Sequence, residues 1–209
     1  MQVTEPMTMA TDFALAGLCA LWSVMSLRIA RRERQRSVAL WGGGLMGFAA
    51  ASIAGGSYHG LAVAPQSRVF LWTLVTVAMG LASFLMLCAA VIAMTTGKWR
   101  LALLAAALVK LAIFAIWIAG SNEFALLMAD YGSAQLAILV LAGCSWRSDR
   151  NPSAPWLAAS IAMSVLGAGV QHSGFALHEH FNHNDLYHVI QMVGLYWMYR
   201  GGALFRDRA

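Results

Sequence analysis

Charged residues are scarce in this chain of 209 residues, because Asp, Glu, Lys and Arg together make up only 11% of it. A soluble domain carries about 25%, so the composition excludes an ordinary cytosolic globular domain and a disordered chain. The three cysteines lie in or at the end of apolar segments without metal-ligand spacing, which excludes a disulfide scaffold. A glycine-rich phosphate loop, a GxSxG motif and a nucleic-acid-binding motif are also lacking, and we expect no nucleic-acid partner.

Apolar residues are abundant instead, at 60% of the chain, and the mean hydropathy is +0.65. A helix that spans a membrane needs roughly 20 apolar residues, and seven segments of helical length can be separated. They predict an all-α protein, a bundle of seven transmembrane helices that forms a single domain over residues 1–209. The predicted helices cover residues 10–30, 38–60, 69–95, 101–120, 124–146, 156–177 and 185–205.

The basic residues are distributed unevenly between the two sides of these segments. Twelve of the fourteen lysines and arginines flank one side, namely Arg28, Arg31, Arg32, Arg34, Arg36, Lys98, Arg100, Arg147, Arg150, Arg200, Arg206 and Arg208. Cytoplasmic loops of membrane proteins carry the excess of basic residues. We therefore predict an outside N-terminus, a cytoplasmic C-terminus and a location in a bacterial inner membrane.

All six histidines fall on the predicted outer side, together with several acidic residues. They are His59, His172, His178, His180, His183 and His188, and Asp12, Glu123 and Asp185 lie at the same level. Ionisable side chains are costly within a membrane and indicate a functional site there. We predict functional roles for His59, Asp185 and His188, which lie in or at the ends of helices, whereas His178, Glu179 and His180 are interpreted as interfacial.

The spacing around His188 suggests two kinds of chemistry. Asp185 and His188 are three residues apart and share one face of the seventh predicted helix. An acid and an imidazole one turn apart can bind a metal ion together or form a hydrogen-bonded pair. A catalytic zinc site has three protein ligands and a water, although imidazole also suits other divalent metals. His59 adds a third imidazole, with the hydroxyl of Ser57 nearby.

Two further charged residues and several tryptophans fall inside or at the ends of the apolar segments. Lys110 lies within the fourth segment and is predicted to pack into a polar cavity or to extend towards the interface. Asp130, in the fifth segment, is predicted to line a cavity. Tryptophans near the helix ends predict an aromatic belt at the membrane interface; they are Trp22, Trp41, Trp99, Trp146, Trp156 and Trp197.

Two short motifs resemble those of a known group. The sequence Ser57-Tyr58-His59 at the end of the second helix and Leu186-Tyr187-His188-Val189-Ile190 in the seventh resemble the CREST superfamily of alkaline ceramidases, progestin and adipoQ receptors and haemolysin-III-like proteins. The resemblance implies seven helices and a zinc ion held by one histidine of helix 2 and two of helix 7. The segment from Phe181 to His188 also resembles an uncharacterised family of small bacterial membrane proteins.

This sequence matches the CREST motif at two positions and differs from it at three. His59 corresponds to the zinc ligand of helix 2, and His188 to the second ligand of helix 7. Asn184 stands at the first helix 7 ligand and Gly55 at the expected serine, and the expected acid of helix 3 falls near Leu71, Trp72 and Thr73. A metal site would then need His183, Asp185 or His172 as its third ligand, and Asp12 or Asp185 as its acid.

Two functional hypotheses follow from this resemblance. The first is a zinc-dependent membrane hydrolase that acts on a lipid amide or ester from the outer side. His59, His183 and His188 would bind zinc, Asp185 or Asp12 would accept a proton from the attacking water, and Ser57 would hydrogen-bond the developing oxyanion. The second is a non-enzymatic sensor or small-molecule carrier that keeps a metal- or ligand-binding histidine cluster. The expected partners are membrane lipid and a lipid-like small molecule.

Overall fold

The computed structural model describes residues 3–178 and 181–208. Within these residues the chain forms seven helices and no β-strand, which confirms the all-α prediction. The helices are α1 (Pro6–Glu33), α2 (Arg36–Gly60), α3 (Pro65–Met94), α4 (Gly97–Gly120), α5 (Phe124–Asp149), α6 (Ala154–Ser173) and α7 (His183–Ala203).

Six of the helices in the described part of the chain, α1 to α6, are long and apolar enough to cross a membrane. Length and composition together therefore indicate a membrane protein. The helix α7 is not among the six, because polar residues occur along its length: His183, Asn184, Asp185, His188 and Gln191 in its first turns and Arg200 in its last. The candidate site residues of α7 therefore lie in its polar first turns.

Local sequence signals set the helix boundaries. Pro6 and Pro65 occupy the first turns of α1 and α3, where a proline is favoured because its missing N–H would have no helical partner. The helix α6 ends at Ser173, four residues before the predicted end, because Gly174 adopts a left-handed conformation with φ of 68°. Residues 174–178 therefore lie in the α6–α7 connection.

The helices form a bundle in which α4 lies at the edge. The helix α2 packs between α1 and α3, and α6 packs against α7. The helix α1 also contacts α7, and α3 also contacts α5. The helix α4 packs mainly against α3. Small residues permit the close approach of α2 and α3, since a side chain at Gly47 would meet the main chain and Cβ of Ala82. The core formed in this way includes the fully buried side chains of Cys19, Val38 and Leu45.

The two ends of the bundle differ in chemistry. At the cavity end, α1, α3, α5 and α7 begin and α2, α4 and α6 end; all the histidines of the described residues lie there. At the arginine end, α2, α4 and α6 begin, and the twelve basic residues named above lie at or near it. The candidate functional residues are therefore separated from these twelve basic residues by the length of the bundle, whereas Arg68, over the Tyr58 ring, lies at the cavity end.

Candidate functional site

A cavity of about 160 Å³ lies between the helices at the cavity end. Its polar wall is formed by Asp12, His59, Gln171, His188 and Gln191, which come from α1, α2, α6 and α7. The apolar and aromatic wall comes chiefly from α2, α3 and α5 and includes Phe48, Trp72, Val75, Met79, Phe124, Leu127, Met128 and Tyr131. No lysine or arginine is among the described residues that line it.

The first turn of α7 is fixed by a capping box. The Asn182 side chain accepts hydrogen bonds from the main-chain N–H groups of Asn184 and Asp185, and Asp185 Oδ2 accepts one from the N–H of Asn182 at 2.8 Å. The other carboxylate oxygen, Asp185 Oδ1, accepts a hydrogen bond from Thr8 Oγ1 of α1 at 2.9 Å. Asp185 is 1% exposed, so this predicted catalytic acid joins α1 to α7 and does not line the cavity.

Asp12 and His188 approach one another at the cavity wall. Asp12 Oδ1 lies 3.5 Å from His188 Nε2, and both side chains are buried. This separation exceeds the 2.7–3.2 Å of an N–H···O hydrogen bond. The two groups therefore face one another without a direct hydrogen bond.

Thr11 connects α1 to the ring of His188. Thr11 Oγ1 lies 3.1 Å from the Thr8 carbonyl and 2.9 Å from His188 Nδ1. Its single hydrogen can serve one of these two acceptors at a time. When the hydroxyl donates to the Thr8 carbonyl, Nδ1 carries the ring proton and the Nε2 lone pair faces Asp12. When it donates to Nδ1, an Nε2–H group faces Asp12 instead.

His59 lines the same cavity from the end of α2. Its Nδ1 lies 3.8 Å from Glu5 Oε2, and its main-chain carbonyl accepts a hydrogen bond from the Thr4 hydroxyl. The Thr4 N–H also bonds the carbonyl of Gly60 at 3.0 Å. The segment before α1 therefore holds the end of α2 in place beside the cavity.

The remaining predicted site residues lie away from the pair of Asp12 and His188. Ser57 donates its hydroxyl to the Ile53 carbonyl of its own helix at 2.8 Å and is not among the lining residues. His183 begins α7 and does not line the cavity, and His172 is exposed in the last turn of α6. Glu179 and His180 lie outside the described residues.

A predicted three-ligand zinc site can be compared with these positions. In the described ranges, 3–178 and 181–208, no three side chains of His, Cys, Asp or Glu are grouped so that they could hold one metal ion. Asn184, at the family's first helix 7 ligand, accepts a hydrogen bond from Gln171 Nε2 at 3.4 Å. The described arrangement therefore supplies two adjacent donors, Asp12 and His188, and does not fit the full ligand set that the resemblance implies.

Comparison with known proteins assigns the chain to a family. The sequence profile of DUF6962, a family of unknown function, matches residues 7–207. The chain belongs to this family. No curated protein and no solved structure matches it. The match spans all seven helices, so the cavity and its lining residues lie entirely within the region that defines DUF6962.

Sequence analysis missed Thr8 and Thr11 of this DUF6962 chain, although both connect α1 to the site. Thr8, Thr11 and Asp12 lie three and four residues apart, so they share one face of α1. A polar face in an otherwise apolar segment is the signal that could have identified them. Gly55, at the position where the CREST resemblance expects a serine, packs instead against the Asp12 carboxylate, and a Cβ atom added to it would lie 3.4 Å from Oδ2.

A second polar cluster lies outside the cavity, between α3, α4 and α5. Lys110 Nζ forms an ion pair with Asp130 Oδ1 and donates a hydrogen bond to Ser83 Oγ at 3.2 Å. Asp130 is buried, and it does not line the cavity as the sequence predicted, because its carboxylate turns towards α4. Lys110 packs inwards against Asp130 and thereby attaches the loosely packed α4 to its neighbours.

Proposed function

We propose that this chain is a membrane protein that binds a small organic cation in the cavity, as a sensor or carrier. The observation that carries the proposal is the 3.5 Å approach of Asp12 Oδ1 and His188 Nε2. When the Thr11 hydroxyl donates to the Thr8 carbonyl, both atoms are acceptors, and a cation between or beside them removes their mutual repulsion. Asp185, buried behind them and hydrogen-bonded as a carboxylate, adds further negative potential.

The other wall of the cavity suits an organic cation. Phe48, Trp72, Phe124 and Tyr131 contribute aromatic rings, and an ammonium over such a ring gains about 0.5–2 kcal/mol. A cavity of about 150 Å³ can hold one benzene-sized molecule, which is close to the 160 Å³ found at this site. A small amine with an apolar body therefore complements both walls.

Benzylammonium is a suitable probe for this proposal. Titration calorimetry of the protein in detergent micelles should detect binding that weakens at least tenfold in Asp12→Asn, since the variant removes the facing charge. The neutral analogue benzyl alcohol should bind at least tenfold more weakly than the cation to the unmodified protein. His172→Gln, at an exposed position at the same end, should leave affinity within twofold. Equal binding of benzylammonium to Asp12→Asn and to the unmodified protein would contradict the proposal.

A zinc-dependent lipid amide or ester hydrolase is the second candidate. Metal–ligand bonds of about 2.0–2.2 Å in a tetrahedral arrangement place two ligand atoms about 3.4 Å apart, and the Asp12 and His188 atoms are 3.5 Å apart. Elemental analysis should then find about one zinc per chain, lost in His188→Ala, and the purified protein should hydrolyse a lipid amide. Zinc-free protein that still binds benzylammonium would exclude this candidate and retain the first.

We further propose that the cavity end faces the outside of the cytoplasm, which is the periplasm if the membrane is a bacterial inner membrane. The support is the placement of twelve of fourteen basic residues at the opposite end. An alkaline phosphatase inserted in the α6–α7 connection should be active, and one fused at the C-terminus should be inactive. The reverse pattern would place the cavity on the cytoplasmic side.

A further inference from the structure

A groove of about 400 Å³ lies at the arginine end, where α1 turns into α2. Its polar rim includes Arg31, Arg34 and Arg36, and its apolar wall includes Leu27, Ala30 and Ala39. The three arginines are exposed. This groove lies at the end of two helices of membrane length. Its basic rim suits the headgroup of a lipid, and the apolar wall below suits the first part of the acyl chains.

The acidic residues near the groove are already paired with other groups. Glu33 forms an ion pair with Arg206 at 2.8 Å. Asp207 accepts hydrogen bonds from the main-chain N–H groups of Arg36 and Ser37, at 2.7 and 2.9 Å. Among the described residues, the guanidinium groups of Arg31 and Arg34 have no carboxylate partner. The groove therefore keeps the positive charges of Arg31 and Arg34, whereas the charge of Arg36 interacts with Asp207.

Arg34 ends α1 in the left-handed region, with φ of 55° and ψ of 40°. Its N–H group and that of Gln35 both bond the Ala30 carbonyl, which closes the helix in a common capping arrangement. Arg150 has the same conformation at the end of α5, and its guanidinium lies over the Trp146 ring. Asn tolerates this conformation, so the charge of either arginine can be removed without disturbing the helix end.

We propose that this groove binds the phosphate of an acidic phospholipid, with Arg31 and Arg34 as the principal contacts. Guanidinium groups bind phosphate oxygens in a bidentate geometry, which favours arginine over lysine at such a site. The half-buried Leu27 and Ala39 contact the adjoining acyl chains. This site is independent of the cavity, which lies at the other end of the bundle.

Short-chain lipids in detergent micelles provide the test. Dioctanoyl phosphatidylglycerol should bind the unmodified protein at least tenfold more tightly than dioctanoyl phosphatidylcholine, and inorganic phosphate should bind at least tenfold more weakly than phosphatidylglycerol. The variant Arg31→Gln/Arg34→Asn should lose at least tenfold in affinity for phosphatidylglycerol. Asn tolerates the left-handed conformation, so the melting temperature should not fall.

A matched control exists at the same end of the bundle. Arg147→Gln/Arg150→Asn also removes two exposed charges and also replaces a left-handed arginine. This variant should keep its affinity for phosphatidylglycerol within twofold. An equal loss in both double variants would reduce the effect to general surface charge, and inorganic phosphate that binds as tightly as the lipid would replace the lipid with a soluble anion. Either result would overturn the proposal.

Discussion

The two ends of the bundle are held together in different ways. At the arginine end, Trp41 of α2 is fully buried, donates its ring N–H to the Met198 carbonyl at 3.0 Å, and packs edge-on against Phe205. At the cavity end, α1 and α7 are joined by two side-chain hydrogen bonds, between Thr8 and Asp185 and between Thr11 and His188, beside the facing pair of Asp12 and His188. Close packing leaves no room around the Trp41 ring, whereas a few hydrogen bonds leave a cavity beside them at the other end.

This difference indicates that the packing that stabilises the fold is concentrated at the arginine end, and that binding in the cavity between the helices is concentrated at the cavity end. Dense packing around a large aromatic ring contributes through buried apolar area and is sensitive to any added atom. Hydrogen bonds between buried polar groups contribute less and fix orientation. Substitutions should therefore affect folding most strongly at the arginine end, and the affinity for a ligand in the cavity most strongly at the cavity end.

The largest expected effect is that of Gly202→Ala at the arginine end. A Cβ atom at Gly202 would overlap the Trp41 ring, which cannot move because its N–H is bonded and the side chain is fully buried. Overpacking of this kind costs about 1–3 kcal/mol or more, and we expect about 3 kcal/mol here. Thermal unfolding in detergent micelles measures it as a clear fall in melting temperature.

The matched control is Gly169→Ala at the cavity end. Gly169 lies within α6, and a Cβ atom added to it would have no neighbouring atom within 4 Å. Alanine favours helix over glycine by about 1 kcal/mol, so this variant should be as stable as the original protein or slightly more so. If both alanine variants melted at the same temperature, the proposed difference in packing between the two ends would be wrong.

An intermediate effect is expected for Thr8→Val, which keeps the side-chain shape and removes the hydroxyl. Asp185 Oδ1 then loses its hydrogen bond from α1 while it remains buried. Hydrogen bonds to charged groups contribute about 1.5–3 kcal/mol, and we expect about 2 kcal/mol by the same unfolding measurement. Thr73→Val should change stability by less than about 0.5 kcal/mol. The Thr73 hydroxyl is exposed, bonds the Val69 carbonyl of its own helix and accepts a long hydrogen bond from Asn122 Nδ2 at 3.4 Å. Equal losses of stability in the two variants would show that the hydrogen bond between Thr8 and Asp185 contributes no more to the fold than an exposed hydroxyl does.

The smallest effect concerns Asp207, and it depends on pH. Burial by itself raises the pKa of Asp207. Three hydrogen bonds, from the Ser37 hydroxyl and from the N–H groups of Ser37 and Arg36, lower it, and so does the charge of Arg36. The net effect is a lowered pKa for Asp207. A group with a lowered pKa stabilises the fold above its unfolded value of about 3.9, and this contribution is lost as pH falls through the folded pKa.

Asp207→Asn should accordingly lower stability by about 1 kcal/mol at neutral pH, because an amide NH2 group cannot accept from the Arg36 N–H and the negative charge at the start of α2 is lost. The difference between the two proteins should be constant from about pH 8 to pH 5 and should shrink below about pH 4, where the carboxylate of the original protein becomes protonated. Melting curves at several pH values measure this. A difference that grew on acidification would contradict a lowered pKa for Asp207.

The sequence predicted the number of helices well because apolar segments of membrane length leave few alternatives. It also predicted that His59 and His188 would lie at the same end of the bundle, because the order of the segments and the charges of the loops determine at which end of a helix a residue lies. The partner of His188 was not predictable, because Asp12 is 176 positions away in the chain and meets it only through the packing of α1 against α7. Periodicity within one helix favoured Asp185, whose carboxylate is used by the capping box.

Trp41 illustrates the same limit at the other end. Its place near a helix end predicts an interfacial tryptophan, yet the side chain is fully buried. The absence of a side chain at Gly202 creates the space for its ring, and that pairing of two residues 161 positions apart is a property of the folded bundle. The interfacial prediction fits Trp99 and Trp146, which are exposed.

The segment after α7 has a consequence for the order of biosynthesis. Phe205 covers the Trp41 ring, Asp207 accepts from the first amides of α2, and Arg208 donates to the Ala93 carbonyl of α3 and pairs with Asp149 of α5. These residues leave the ribosome only after all seven helices have been synthesised. Until that point, α2, α3 and α5 lack the contacts that the segment after α7 makes at the arginine end.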